Sequence, residues 1–304
     1  MKKIRQQFAD TIYKIGNKDK NIVVMVGDIS HGIMQPFAKR NKERYFNIGI
    51  CEPAMMNVAA GISKLGLIPI VHTIAPFLIE RSFEQIKLDF CYQKLPVNIV
   101  SVGSTFDYSK LGCSHHCYSD FALISQLDNS NFFYPGSPVE FDILFKQTYK
   151  KRNINYFRIS DFNHKIPLKK KLIKYGKGVK IKSGKDITII FIGNLLNSYP
   201  KILNTLVSKK INPEILYLNT LKPLDENLII KSLKKTKKLF IVENFMRNGG
   251  FASYCLTKLN DKVNFKFNSA SIENFNHNYG TYENLQNVSG ISTSHILNKI
   301  IKFI

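Results

Sequence analysis

The sequence predicts an α/β protein made of two doubly wound domains. Short runs rich in β-branched residues alternate with longer helical patterns along the 304 residues, an order typical of parallel or mixed sheets covered by helices. Several short runs are continuously apolar, including Ile22–Val26 and Ile187–Ile192, which indicates strands covered on both faces. A polar, basic stretch at 164–175 breaks the alternation and has the composition of a linker. We therefore expect domains at residues 1–165 and 176–304.

The first domain is expected to have its strands where short, mostly apolar runs occur, at 21–27, 68–73, 97–103, 131–134 and 154–159. Longer segments between these runs have helical patterns and predict helices at 53–65, 77–92 and 138–150. The N-terminus is basic and leads into an amphipathic pattern without an apolar signal core.

The second domain continues the same alternation. Its strands are expected at 186–193, 214–218, 238–243 and 263–267, and its helices at 198–209, 224–233, 250–259 and 292–303. The sequence shows no internal repeat and no low-complexity tract, so each half is expected to fold around its own sheet.

The strongly basic composition has two interpretations. The formal net charge is +22, which suits a protein that binds nucleic acid or another anionic partner. Only seven of the 44 basic residues are arginine, however, and specific base and phosphate contacts favour arginine. We therefore expect compositional bias and no nucleic-acid binding, with some of the charge available to attract a phosphorylated substrate or an acidic partner.

Cysteine usage and hydropathy predict the compartment. The five cysteines have no CxxC spacing, and an odd number in a chain of this size favours free thiols in a reducing environment. No apolar run reaches the roughly 18 residues of a membrane span. The expected location is the cytoplasm, without membrane association.

The most informative segment is 44–61, with the sequence RYFNIGICEPAMMNVAAG. An apolar strand is predicted to end near Ile50, Glu52 follows it, and Pro53 occupies a first helical position. Glu52 would then lie at the carboxyl edge of the sheet, where open α/β sheets bind ligands. Taken alone, the segment fits either a functional carboxylate or one that only favours the helix N-terminus.

Further motifs lie in a fixed order along the chain: IGICE at 48–52 with AAG at 59–61, PFLIERSFEQIK at 76–87, GCSH at 112–115, and YFRIS at 156–160. The second half contains LKPLD at 221–225, VEN at 242–244 and GGF at 249–251. Together these motifs resemble those of the transketolase family of thiamine-diphosphate enzymes, over nearly the whole chain. The resemblance implies a pyrimidine-binding domain followed by a transketolase C-terminal domain.

The resemblance implies that Glu52 is the catalytic glutamate, which hydrogen-bonds N1′ of the thiamine-diphosphate aminopyrimidine. A carboxylate in an apolar pocket has a raised pKa, so it can share a proton with a weakly basic ring nitrogen. The cofactor, once activated, serves as the electron sink for a ketose substrate. The implied reaction is transfer of a two-carbon ketol unit between sugars or sugar phosphates.

The resemblance assigns cofactor-binding roles to three further residues, and each has a plainer alternative. Phe77 would stack on the pyrimidine or be a core aromatic, and an offset of one residue makes Leu78 a second candidate. Arg81 would line the pocket, pair with an acid or lie on the helix surface. Asp28 would line the site or only form a turn.

The resemblance also implies substrate-binding residues. His115 matches the histidine that contacts substrate hydroxyls or assists proton transfer, whereas His116 is expected to be a satisfied loop residue. His72 would face the substrate or be buried and hydrogen-bonded. Asp120 would be a ligand or a helix N-cap. Arg158 would contact a substrate phosphate or pair within an interface.

The diphosphate-binding half of the family is not found in this sequence. That domain carries a G-D-G segment followed by asparagine, which holds Mg²⁺ and the diphosphate, and this chain has no G-D-G. The chain therefore resembles the C-terminal subunit of a split transketolase, with no metal ligand of its own. We expect an N-terminal partner subunit that holds Mg²⁺ and diphosphate, pairing of this chain with itself, and a heterotetramer with two copies of each chain.

Two other functions remain open. The beta subunit of a 2-oxoacid dehydrogenase shares this domain order, but the G-I-C-E motif and the 112–115 turn fit transketolases better. A noncatalytic assembly partner would also keep the fold, although it would not need Glu52 and His115.

Overall fold

The computed structural model describes residues 2–304 and contains twelve strands in that range. In chain order they are β1 (Ile22–Val26), β2 (Tyr45–Asn47), β3 (Ile68–Ile74), β4 (Val97–Val102), β5 (Ser130–Phe133), β6 (Ile154–Ile159), β7 (Val179–Lys182), β8 (Ile187–Ile192), β9 (Pro213–Leu218), β10 (Thr220–Lys222), β11 (Lys238–Met246) and β12 (Lys266–Ile272). The nine predicted strands are present, with ends shifted by up to five residues. The strand expected to end near Ile50 is β2, which ends three residues earlier at Asn47, and the short strands β7 and β10 were not predicted.

The α-helices of the same range include six of the seven predicted helices, together with helices that were not predicted. They are α1 (Ile4–Gly16), α2 (His31–Arg40), α3 (Glu52–Lys64), α4 (Phe83–Gln85), α5 (Asp120–Ser125), α6 (Pro138–Thr148), α7 (Tyr199–Ser208), α8 (Glu226–Thr236), α9 (Phe251–Leu259), α10 (Tyr282–Val288) and α11 (Thr293–Phe303). Because strands and helices alternate in this way, the expectation of two α/β units is confirmed.

The strands form two sheets. The first has the order β10-β5-β6-β4-β3-β1-β2 and is parallel except for β10. The second has the order β12-β11-β8-β9-β7 and is parallel except for β7. Parallel neighbours need crossover connections, and the helices that supply them cover the sheets, which explains why the strands are nearly continuously apolar.

Both faces of the first sheet are buried. Along β1, Val23 and Met25 pack on the side of α3, whereas Ile22, Val24 and Val26 pack on the side of α1 and α6, as the two-residue period of a strand requires. The α3 side is continuous with the core of the second sheet through apolar residues of both halves. The sheet is therefore a rigid base whose carboxyl edge carries the loops described below.

The predicted helix at 77–92 is wrong as a single α-helix. Pro76–Glu80 and Ile86–Tyr92 are π-helical, and α4 lies between them. In the first π turn the Arg81 N–H donates to the Pro76 carbonyl at 3.1 Å, a five-residue step. Each π turn holds one residue more than an α turn, which rotates the side chains that follow.

The segment at 164–175 is packed against both halves. Its lysines are mostly exposed, but His164 and Ile173 are buried, and His164 Nε2 lies 2.6 Å from Glu140 Oε1. In addition, β10 comes from the second half of the chain and pairs with β5 in the first sheet. The two halves therefore share a sheet as well as a core, and the domain limits stay a prediction from the sequence.

Candidate active site

Glu52 lies at the carboxyl edge of the first sheet. Strand β2 ends at Asn47, a short loop follows, and Glu52 is the first residue of α3 with Pro53 behind it. Gly49 in this loop has φ +76, a left-handed conformation that glycine adopts without strain. The side chain of Glu52 is almost fully buried, so the sequence has placed a carboxylate in a protected position at the edge where ligands bind.

Arg81 approaches this carboxylate from the first π turn. Its Nη1 donates to Glu52 Oε2 at 3.0 Å, while the arginine side chain itself is 48% exposed. Within residues 2–304 the other carboxylate oxygen, Oε1, accepts no hydrogen bond. Glu52 is thus held by one oxygen and has the second available to a ligand.

Phe77 and His115 continue from the Glu52–Arg81 pair, so that the four side chains form a row of contacts. The Arg81 guanidinium carbon lies 4.5 Å from the centre of the Phe77 ring, and that ring meets the His115 imidazole edge-on at 5.1 Å. Leu78, the second candidate for the Phe77 position, is fully buried in the core. The structure therefore brings together Glu52, Arg81, Phe77 and His115, which the sequence placed in three separate segments.

His115 is the last residue of a single 3₁₀ turn, Cys113–His115. Its ring is half-buried, its Nδ1 lies 3.0 Å from Ser114 Oγ, and Tyr108 packs edge-on at 6.2 Å. Burial lowers the pKa of His115 below its ordinary value of 6.5, so the ring is neutral at neutral pH. A neutral imidazole at this position can accept a proton or a hydrogen bond from a hydroxyl group.

The expectation that His116 is satisfied is wrong. Its ring is buried against Phe106, at a centroid distance of 5.1 Å, and neither ring nitrogen has a hydrogen-bond partner within residues 2–304. Adjacent residues of the turn point in different directions, so exposure of His115 to the site forces His116 inward among apolar groups.

Asp28 also lies at the carboxyl edge, directly after β1 and Gly27. Its φ of 51 is unusual for a residue other than glycine, and its carboxylate accepts from His31 Nε2 at 2.9 Å and Asn47 Nδ2 at 3.2 Å. The hydrogen bonds from His31 and Asn47 lower the pKa of Asp28. The structure places Asp28 beside the strand that leads to Glu52, exposed and in a left-handed turn.

His72 is not exposed at the site. It is fully buried in β3, where Nδ1 donates to the Val100 carbonyl at 2.8 Å and Nε2 lies 2.7 Å from Ser30 Oγ. Burial lowers its pKa to about 3. The neutral ring with hydrogen on Nδ1 accepts from the Ser30 hydroxyl, and Ser30 in turn accepts from Arg5 Nε at 2.7 Å. This arrangement matches the alternative of a buried, hydrogen-bonded histidine.

Asp120 and Arg158 form a fully buried ion pair and therefore do not reach a ligand in this structure. Asp120 accepts from Arg158 Nη1 and, at 2.7 Å, from the Tyr156 hydroxyl. The guanidinium also lies 4.4 Å from the ring centre of Phe245 in the second half of the chain. Ser119, rather than Asp120, occupies the N-cap of α5. The expected substrate-binding roles of this pair are replaced by a contact that joins the two halves.

Two features of the site were not assigned from the sequence. A cavity of about 580 Å³ beside Ser30 is lined by basic side chains, including Lys2, Lys3 and Arg5. Glu80, in the first π turn, accepts from Ser119 Oγ at 2.5 Å, and burial raises the pKa of this carboxyl group. Arg5 lies in the N-terminal amphipathic pattern and Glu80 in the 76–87 motif, and neither pattern by itself marks these side chains as part of a site.

Residues 2–304 contain no cluster of three or more His, Cys, Asp or Glu side chains placed to hold a metal ion. In the same range no helix is long and apolar enough to cross a membrane.

Two family models match the chain. Residues 1–164 match the transketolase pyrimidine-binding domain, and residues 176–296 match the transketolase C-terminal domain. The first match ends, and the second begins, at the polar segment 164–175.

Curated relatives fall into two kinds. The 1-deoxy-D-xylulose-5-phosphate synthase of Halothermothrix orenii is 28% identical over 84% of this chain, but only over 41% of its own length. The synthase of Clostridium perfringens strain 13 is 26% identical over 98% of this chain and 48% of its own length. The chain thus spans less than half of these relatives. An uncharacterised 33.6-kDa protein in the fasciation locus of Rhodococcoides fascians is 25% identical over 98% of this chain and 93% of its own length.

A solved structure has the same architecture throughout. It is a split-gene transketolase, described as an inactive beta4 tetramer, with a TM-score of 0.90 and 26% identity. The match covers 100% of this chain and 98% of the other, so both chains have the same extent as well as the same fold.

Proposed function

Because the chain belongs to the transketolase family, we propose that it is the C-terminal subunit of a thiamine-diphosphate-dependent transketolase that moves a two-carbon ketol unit between sugars or sugar phosphates. The observation that supports this most is the row of contacts from Glu52 through Arg81 and Phe77 to His115. It places an acid, an aromatic face and a neutral histidine within one part of the sheet edge.

The residues of this row fit an aminopyrimidine ring. Glu52 Oε1 is an unused acceptor on an almost fully buried carboxylate, and the partly exposed ring of Phe77 supplies a flat apolar surface nearby. When bound, thiamine diphosphate supplies a carbon nucleophile and an electron sink. In this proposal Glu52 holds a proton at the ring nitrogen, Arg81 fixes the orientation of its carboxylate, and Phe77 positions the ring.

His115 is proposed to act on the substrate. Its neutral imidazole can take a proton from a sugar hydroxyl or return one, which are the steps that forming and cleaving a ketol bond require. The basic cavity beside Ser30 supports a phosphorylated substrate, because Arg5 is held by Ser30 through Nε alone and keeps its Nη groups for an anion.

The matches to other proteins support a separate partner subunit. This chain covers less than half of single-chain relatives, and its counterpart of matching length is described as an inactive tetramer of beta subunits. We infer that the partner holds the diphosphate and Mg²⁺. Exposed apolar side chains near Glu52, at Ile50, Val58 and Tyr92, support pairing of this chain with a second copy of itself.

The test is a calorimetric titration of thiamine diphosphate with Mg²⁺ into the chain alone and into its complex with the partner subunit. Tight binding is expected only in the complex. Glu52→Gln should weaken it and lower ketol transfer at least about 100-fold, because the amide cannot share the proton. Glu43→Gln, an equal change at an exposed position, is the control. Tight binding to the chain alone, or full activity of Glu52→Gln, would contradict the proposal.

A further inference from the structure

The turn that carries His115 has little support from its own sequence neighbours. It consists of two short 3₁₀ turns, Ser109–Leu111 and Cys113–His115, with no strand or α-helix between residues 103 and 119. At its base Thr105 and Cys117 exchange two backbone bonds, at 2.8 and 3.0 Å. Beyond this pair the backbone has only single-turn bonds, such as those from the His115 N–H to the Gly112 carbonyl at 3.0 Å and from the His116 N–H to the Cys113 carbonyl at 3.2 Å. A segment held by single-turn bonds opens easily unless other elements hold it.

A loop of the second half of the chain, residues 273–281, contacts this turn at both ends. On one side the ring of Tyr279 lies against Gly112, so closely that a Cβ at that position would overlap the ring. Gly112 also has φ +78, which a residue with a side chain adopts only with strain. On the other side the Asn276 N–H donates to the Tyr118 hydroxyl at 3.3 Å, and Phe275 packs edge-on against the Tyr118 ring at 6.1 Å.

The loop is itself held in place. The buried side chain of Asn276 accepts from the Asn278 N–H at 2.8 Å and donates to Ser289 Oγ at 2.9 Å. Tyr279 follows directly, and 68% of its surface is exposed. A residue this exposed contributes little to the core, so removing its side chain should loosen the turn at Gly112 and should hardly change the stability of the whole fold.

From these contacts we propose that Tyr279 is a positioning residue, through which the second domain fixes the turn at 112–115 and so holds the His115 ring against Phe77. The proposal rests on the proposed function for the role of His115, whereas the contacts of Tyr279 with the turn are observed independently of that function. Through Tyr279 the second domain would contribute to the candidate site, although the sheet of that domain is not part of the site.

The experiment measures the turn directly in the full chain, without cofactor or substrate. Hydrogen exchange of peptides spanning 106–117 should be faster in Tyr279→Ala, by up to about tenfold for the loss of one aromatic contact. The NMR-measured pKa of His115 should rise toward 6.5, because a looser turn exposes the ring to water. Tyr108 and His116, the ionisable groups closest to this ring, are both on the turn itself, and the charged Arg81 lies beyond the Phe77 ring.

Tyr279→Phe keeps the ring and should keep the wild-type exchange and His115 pKa. Val207→Ala, at an exposed apolar position on α7, should change neither quantity. Unchanged exchange at 106–117 in Tyr279→Ala would overturn the proposal, as would faster exchange throughout the second domain, which would make Tyr279 a residue of the fold. If Tyr279→Ala does not fold, Tyr279→Leu is measured instead. Since neither readout needs catalysis, an enzyme inactive with every ketose donor would contradict the proposed function alone.

Discussion

At the scale of single residues, hydrogen bonding distinguishes buried polar side chains that are available to a ligand from those that are not. Glu52 and His72 both end up inside the protein near the same sheet edge, but Glu52 keeps one oxygen without a partner whereas both nitrogens of His72 are used. A side chain with all its hydrogen bonds made inside the protein has nothing left for a substrate. Burial alone removes Asp120 and Arg158 from the site, because both are fully buried and bonded to each other.

His72 makes the stability of the chain depend on pH. Its pKa is about 3 when folded and 6.5 in its ordinary state, so below pH 6.5 the unfolded chain binds a proton that the folded chain does not. Stability should therefore fall as the pH falls from 6.5 toward 3. The expected loss from this residue between pH 7 and pH 5 is about 2 kcal/mol.

Urea unfolding at the two pH values checks this expectation. His72→Gln should be less stable than the wild type at pH 7, because it loses hydrogen bonds, and should show a weaker dependence on pH. His295→Gln, at an exposed histidine on α11, should keep the wild-type dependence. An equal pH dependence in wild type and His72→Gln would show that His72 titrates in the folded chain.

At the scale of elements, the apolar runs predicted the strands well, because a strand covered on both faces has a composition that few loops share. They could not predict the π turns at Pro76–Glu80 and Ile86–Tyr92, since the apolar spacing of a π turn differs from that of an α turn by a single residue. They also could not assign β10, whose partner β5 lies about ninety residues away in the chain. The adjacent strand, acid and proline placed Glu52 at the sheet edge, and the resemblance to transketolases gave it a role. The sequence offered pairing of Arg81 with an acid as one alternative, but it could not identify Glu52 as that acid because the contact depends on the π turn.

Strand β10 carries Lys222, which connects the second half of the chain to the end of α5. Its partly buried amine donates to the carbonyls of Ser125 at 2.9 Å and Leu127 at 2.5 Å, and to Ser130 Oγ at 2.9 Å. Lys222→Met should lower the free energy of unfolding by about 1–3 kcal/mol, because the Ser125 carbonyl at the end of the helix loses its donor. Lys201→Met, on the surface of α7, should have almost no effect. Equal urea midpoints for the two variants would contradict this role of Lys222.

At the scale of the whole molecule, α3 and the segment Ile86–Tyr92 that packs against it leave apolar side chains exposed to solvent. They include Val58 on α3, which is 50% exposed, and Tyr92 at the end of the π segment. Glu52 begins the same helix, so a chain that covered these side chains would bind beside the candidate site. A two-fold pairing would place two such helices against each other and bury both apolar faces at once.

This pairing predicts a sharp difference between two variants. Val58→Glu would bury an unpaired charge at the interface, so sedimentation at micromolar concentration should show dissociation toward monomers, with loss of ketol transfer when the partner subunit is present. Val207→Glu is the matched control, because Val207 is 52% exposed on α7 of the other domain, and it should sediment as the wild type does. If Val58→Glu remained fully associated, the helix that begins with Glu52 would not be the interface. The exposed apolar face would then have to be covered by the partner subunit, and the Glu52 carboxylate would lie between two different chains rather than between two copies of this one.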